Sequence, residues 1–258
     1  MELRLSTWRD VEAYLRSSVG VLIPIGSMEQ HGPNGLIGTD AICAHAVAMR
    51  AGAAAGIMVG PTIELTVAQF NLDFPGTISV RAEVLMRYIQ DYLRSLARHG
   101  FRRFYFVNGH GANVSVANAA FQDLYAQRSF SAAPQDQPEL RCRLRSWWEF
   151  EPVLQLRQQW FGQWEGIHAT PSEIAITQAV HTEHVRALDE FVPTALAEGM
   201  AQELSGDRHY DAQHHRQTYP DGTLGSDPRL ASVERGKALL SAAGAAVACD
   251  YARFMQAP

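Results

Sequence analysis

What most constrains the fold is a pattern used twice: a short apolar run that ends abruptly in a glycine-bearing segment carrying acid or histidine. Phe104-Tyr105-Phe106-Val107 runs straight into Asn108-Gly109-His110-Gly111-Ala112-Asn113, after which Val114 to Gln127 reads as a helix. Strand, Gly-rich turn and helix form the βα unit of an open parallel sheet, in which ligand-binding residues sit at the carboxyl ends of strands. A second run, Val21-Leu22-Ile23, ends just before a segment that delivers Glu29, His31 and, after a turn rich in Gly, Pro and Asn, Asp40. Two strands thus place metal-type residues at one edge.

The remaining elements alternate in the same way. Ser6 to Arg16 reads as a first helix with Thr7 and Asp10 as a capping pair. Thr39 caps an Ala-rich helix to about Ala55. Ile57 to Leu65 is a strand interrupted by Gly60-Pro61, and Thr77 to Val80 a short strand. Arg81 to Arg98 has apolar residues at helical spacing and stops at Gly100. Leu140 to Trp147 is a further strand, Trp148 to Trp160 a helix, Leu204 to Asp227 mostly loop, and Ser232 to Met255 a closing helix. The expected architecture is a single α/β domain over residues 1–258, a mainly parallel sheet sandwiched by helices in three α/β/α layers.

Glu29 and His31 are two apart, so in extended chain both point to one side. The turn lets Asp40 fold back to the same point. Carboxylate with imidazole suits zinc, manganese or iron. His110 stands between two glycines, which leave it little to pack against and allow close backbone approach. Glu173 lies in Gly166-Ile167-His168-Ala169-Thr170-Pro171-Ser172-Glu173. There it also reads as the last residue of a capping box, with Thr170 as N-cap and Pro171 at the first helical position. His168, outside that helix, is a candidate proton-transfer group because imidazole titrates near neutrality. His209, His214 and His215 form a separate cluster, read as a solvated loop.

Gly26-Ser27-Met28-Glu29-Gln30-His31-Gly32-Pro33 followed by Thr39-Asp40 resembles the signature of the creatininase family of metal-dependent amidohydrolases. Asn108-Gly109-His110-Gly111-Ala112-Asn113 is similar to a second family signature, and the His168–Glu173 segment to a third. The resemblance implies two divalent ions, Zn or Mn with Fe as a further option. Glu29, His31, Asp40, His110 and Glu173 would be the metal ligands, with Asp40 as the bridge. It also implies a catalytic role for His168 and Glu173, a hexameric homo-oligomer, and a covering role over substrate for Trp164. Trp147 or Trp148 would be a further wall, a core role being equally compatible. The family often follows Gly-Pro with His-Leu-Pro; here Asn34-Gly35-Leu36 stands there, which makes Asn34 a candidate substrate contact. Creatininase has a metal-binding glutamate where this chain has Ala112, and Glu173 is the carboxylate expected to complete the centre. Asp221 to Pro228 resembles a C-terminal family segment, with Ser226 inserted.

The implied activity is hydrolysis of a C–N bond in a small non-peptide amide, cyclic amides included, by water that the metals activate. Peptide trimming by a family relative, or a non-catalytic metal-binding homologue, are the alternatives. A net charge of -5 without basic runs argues against nucleic acid. With no Arg or Lys inside the three motifs, a two-metal phosphoesterase is disfavoured. No long apolar run or apolar N-terminal core is present, so no membrane partner is expected. Three scattered cysteines fit a reducing, cytoplasmic setting as buried apolar residues.

Overall fold

The structure, a computed structural model, describes residues 1–197 and 210–256. Three parallel strands lie side by side at its centre: β1 (Gly20–Ile25), β2 (Arg103–Asn108) and β3 (Arg141–Ser146). In their register Ile25 faces Asn108 and Asn108 faces Ser146, so all three strands end level at one edge. Beside β1, Val59 and Ile63 make isolated parallel bridges to Leu22 and Ile25. The strand expected over 57–65 is reduced to these bridges because Gly60-Pro61 breaks the ladder, proline having no N–H to give. The strand expected over 77–80 is likewise a single antiparallel bridge between Met28 and Ile78.

Alternation along the strands sorts the core into two layers. Leu22, Tyr105 and Val107 face α2 (Thr39–Ala55), α5 (Glu151–Trp160), α6 (Pro171–Val180) and the long C-terminal helix Val233–Gln256. Val21, Ile23, Ile25, Phe104 and Phe106 face α1 (Trp8–Leu15), α3 (Ala82–Arg98) and α4 (Asn113–Ser129). This is the three-layer α/β/α arrangement the sequence predicts. The Thr7–Asp10 capping box is present at α1. Gly38 rather than Thr39 caps α2, since the Thr39 hydroxyl donates back to the Leu36 carbonyl at 2.7 Å.

Within the stretch read as loop, Ala212–Thr218 forms a short helix, α7, capped by the Asp211 side chain; the C-terminal helix is α8. Its polar sequence offers no apolar periodicity to read. His214 is exposed, whereas His215 is buried and packs edge-on against Phe70, so a solvated cluster does not describe it. His209 lies outside the described residues. Cys43 is buried as expected, Cys142 is half-buried, and Cys249 is exposed.

The first turn of α2 presses onto the strand edge. A Cβ on Gly109 would lie 2.2 Å from the Asp40 carbonyl oxygen, and one on Gly26 would lie 2.3 Å from the Ala41 amide nitrogen. The two glycines beside His110 therefore differ. Gly109 admits backbone, while a Cβ on Gly111 would meet nothing within 4 Å. Gly109→Ala is expected to lower stability by roughly 1–3 kcal/mol through overpacking. Gly111→Ala should stay within about 0.5 kcal/mol. Denaturant midpoints of the two variants provide the check.

Candidate metal centre

The level strand ends bring three chain segments together. Glu29 and His31 follow β1, His110 follows β2, and Asp40 enters from the start of α2. A polar bracket ties these ends. The Asn108 amide donates to the His110 carbonyl at 2.8 Å and to the Ser146 hydroxyl at 3.1 Å, while the Asn113 amide donates to the Gly26 carbonyl at 2.8 Å. Glu173 arrives on the first turn of α6 and His168 just before it.

Three groups of donor atoms result among the described residues: Glu29, Asp40 and His110; His31, Asp40 and Glu173; and Glu29, His31 and His168, each with its atoms within 4.8 Å of one another. Asp40 belongs to the first two. Its Oδ1 lies 2.9 Å from His31 Nε2 and its Oδ2 lies 3.0 Å from His110 Nδ1. Glu29 Oε1 is 3.0 Å from the same His110 nitrogen, and Glu173 Oε1 is 3.9 Å from His31 Nε2.

The opposite ring nitrogens decide what these contacts are. His31 Nδ1 sits 3.1 Å from the Glu29 carbonyl oxygen, and His110 Nε2 sits 2.8 Å from that of Val67. A carbonyl only accepts, so each of these nitrogens carries the proton in a neutral ring. The other nitrogen then turns a lone pair toward carboxylate oxygens. Lone pair against carboxylate is repulsive unless a cation or extra proton intervenes. Consistent with this, Glu29 Oε1 and Asp40 Oδ2 are buried without a hydrogen bond among the described residues. Imidazole fixed by a backbone acceptor and aimed with carboxylates at one point is the donor set of a Zn, Mn or Fe site.

Electrostatics say the same. Burial depresses both imidazoles, but the carboxylates more than reverse it: Asp40 and Glu173 push His31 up to about 10, and Glu29 and Asp40 raise His110. Burial pushes Glu173 up to about 7, aided by the Asp40 charge. Asp40 itself is lowered: burial opposes its charge, and the two histidines outweigh burial. The side chains alone thus hold extra protons that a cation would displace.

Glu173 performs both roles that its sequence position suggests. Its Oε1 accepts from the Thr170 backbone N–H at 2.5 Å, closing the capping box, while the same oxygen faces His31. Capping orients the carboxylate rather than competing for it. Further residues that sequence reasoning missed steady the centre. The Asn71 amide donates to Glu29 Oε2 at 2.9 Å, and the Gln30 amide donates to Asn71 Oδ1 at 3.0 Å. The Phe70 ring stacks near His110 at 6.4 Å. Gln30 was visible inside its motif; nothing in the local sequence marks Phe70 or Asn71.

His168 is held at both ends of its residue. Ser226 donates to its carbonyl at 2.7 Å, and its Nε2 lies 2.8 Å from the Gln30 carbonyl oxygen. Gln30 Oε1 accepts from Gly32 N–H and its amide protons serve Asn71 and the Gly222 carbonyl, so His168 Nε2 is the protonated nitrogen. Its Nδ1 then faces the centre, 3.9 Å from Glu29 Oε1. Burial first, and the nearby His31 charge second, lower its pKa to about 3, which keeps the ring neutral. Ala169 next to it has φ 51, a left-handed conformation uncommon for a residue with a Cβ.

The centre opens into a cavity of about 330 Å³, lined by Asp40, His110, His168 and Glu173 together with Trp147, Trp148 and Arg157. Trp147 and Trp148 both border it, and Trp147 is at the same time buried within the hydrophobic core, so the wall and core readings meet in one residue. Trp164 is half-buried in the 3-10 turn Gly162–Glu165 and is not on the lining. Asn34 is also away from it, its amide turned to the Arg186 carbonyl at 3.4 Å.

A family model described as creatinine amidohydrolase matches residues 4–249. The chain belongs to the creatininase family. A creatinine amidohydrolase of Pseudomonas putida is 30% identical over 189 residues, 69% of this chain and 71% of that protein. A mycofactocin precursor peptide peptidase of Mycolicibacterium smegmatis is 38% identical over 106 residues, 39% of this chain but only 42% of the peptidase. A solved manganese creatininase superposes with TM-score 0.76 over 99% of both chains at 23% identity, and a creatininase mutant of Zn–Zn type does so with TM-score 0.76 over 99% of this chain and 98% of the other. The fold and the amidohydrolase family are thereby established. No described helix is long and apolar enough to cross a membrane.

Three outcomes are expected of this creatininase-family centre. At pH 6, protons on His31 (about 10) and Glu173 (about 7) must leave before these groups ligate, so binding of Zn or Mn should release protons and tighten from pH 6 to 8. Without metal, the raised His31 value stabilises the fold fully below its unfolded pKa, near 6.5, and that contribution is lost as pH rises through about 10. Titration calorimetry in buffers of different ionisation enthalpy reads the proton release. Asn71→Leu strips the donor from Glu29 Oε2 and should weaken metal binding about 10- to 100-fold; competition with a chelator measures it.

Proposed function

We propose that this chain is a binuclear metal-dependent amidohydrolase that cleaves the C–N bond of a small non-peptide amide. The observation that carries the reading is the pair of tautomer-fixed imidazoles, His31 and His110, each presenting its lone pair to carboxylates that share Asp40. Glu29, His110 and Asp40 would hold one ion, and His31, Glu173 and Asp40 the second. Divalent ions there would supply a water acidified toward neutrality and would polarise the amide carbonyl.

The chain's own residues then handle protons and exclude water. His168 is neutral, with its Nδ1 lone pair toward the centre, so it accepts at Nδ1 the proton that the attacking water gives up as it adds to the carbonyl carbon. It returns that proton to the departing nitrogen, which as an amide anion is too basic to leave. The Gln30 carbonyl, bound to Nε2, stabilises the ring in its charged form. Trp147, Trp148 and Phe70 wall the cavity and keep bulk solvent from the reacting bond.

Peptide trimming is a second reading, favoured by the similarity to mycofactocin precursor peptide peptidases. Creatinine, hydantoins, formamides and short peptides, assayed side by side on metal-loaded protein, distinguish the two. The expected outcome is turnover of a small amide with peptides inert. For the proton role, His168→Ala should retain both ions and lose about 10²–10⁴ in kcat; undiminished kcat in that variant, with metal content intact, would refute the assignment.

A further inference from the structure

The metal-centre cavity has a second polar feature that the hydrolytic step does not use. Arg157, on α5, is the one arginine or lysine on the cavity wall among the described residues. It lies outside all three metal-binding motifs, which is why the sequence offered no anion-binding group. Its side chain is only 16% exposed and is fixed in place. Nε donates to Glu165 Oε1 at 2.8 Å, and Nη1 reaches the Trp148 carbonyl at 3.4 Å. Glu165 is buried behind the wall rather than on it, and also accepts from Ser172, which does line the cavity. The rest of the guanidinium fork, Nη2 included, has no acceptor among the described residues.

Guanidinium donors left without a protein acceptor on the cavity wall suit an acceptor-only ligand group. Resting on the amidohydrolase reading above, we propose that Arg157 is the specificity-determining anchor of this cavity and that it binds the carboxylate of a small carboxylate-bearing amide, such as an N-acylamino acid. A planar carboxylate matches the fork of a guanidinium. A phosphate monoester fits less well. Its near-double negative charge would face a single arginine whose charge is already partly matched by Glu165. The cavity, at about 330 Å³, admits a small ligand with its amide at the metal centre and its carboxylate at Arg157.

The test uses metal-loaded protein of measured metal content. Dissociation constants for N-acetylglycine, N-acetylglycinamide and acetyl phosphate are determined by calorimetry, for the wild type and for R157K and the double variant R157Q/E165Q. The double variant avoids stranding a buried carboxylate without its partner, and thermal melting confirms that it is folded. The wild type should bind N-acetylglycine about 10- to 100-fold more tightly than its neutral amide, the range of a charge-assisted hydrogen bond. That ratio should fall toward one in R157Q/E165Q and be only partly kept in R157K. Equal affinity in the wild type, a ratio unchanged in R157Q/E165Q, or a preference for the phosphate would each overturn the inference, even with both metals bound. Failure to bind two ions would instead overturn the amidohydrolase reading.

Discussion

The structure depends on one buried carboxylate serving two directions. Asp40 offers one oxygen to His31 and the other to His110, and everything around it makes that division stable. Buried carboxylates and imidazoles crowded together are costly unless charge is compensated. Among the described residues the compensation is not a lysine or arginine in contact with the group. It is left to protons or to cations, and the backbone carbonyls of Glu29 and Val67 bias the outcome by fixing which ring nitrogen carries hydrogen. A fold that merely packed its core would not arrange two histidines in this way.

The sheet supplies the precision. Three parallel strands in level register turn distant segments of chain into neighbours, and glycine at 26 and 109 lets the start of α2 approach closely enough to insert Asp40. The chain Gln30–Asn71–Glu29 and the Glu173–Thr170 capping box then hold the carboxylates against rotation. The same interactions that end a helix or satisfy a loop also orient the chemistry, so fold and site are not separable here.

Much of this was legible in the sequence because strand ends and helix starts carry local signals. The apolar runs before Glu29 and His110 located the edge, and Thr170-Pro171-Ser172-Glu173 announced both a helix start and a convergent carboxylate. The illegible parts arise from contacts between segments. Asn71 and Phe70 sit in a single 3-10 turn, Gln69–Asn71, too short to carry a periodic signal, and His215 from α7 packs against Phe70. Arg157 looks like an ordinary helical arginine until α5 folds over the cavity, and Glu165 becomes informative only as its buried partner. Trp164 was placed by resemblance to a family pattern, and pattern does not specify side-chain direction; the ring leaves the wall to Trp147 and Trp148.

The account's central claim is that Asp40 joins two cation sites. Elemental analysis of the wild type and of Asp40→Ala, both purified without added metal and checked for folding, tests it most directly. The account predicts two divalent ions per wild-type chain and fewer than one in the variant, since losing the shared ligand undoes both sites. A wild-type chain with no bound ion, or a folded variant that keeps two, would contradict it.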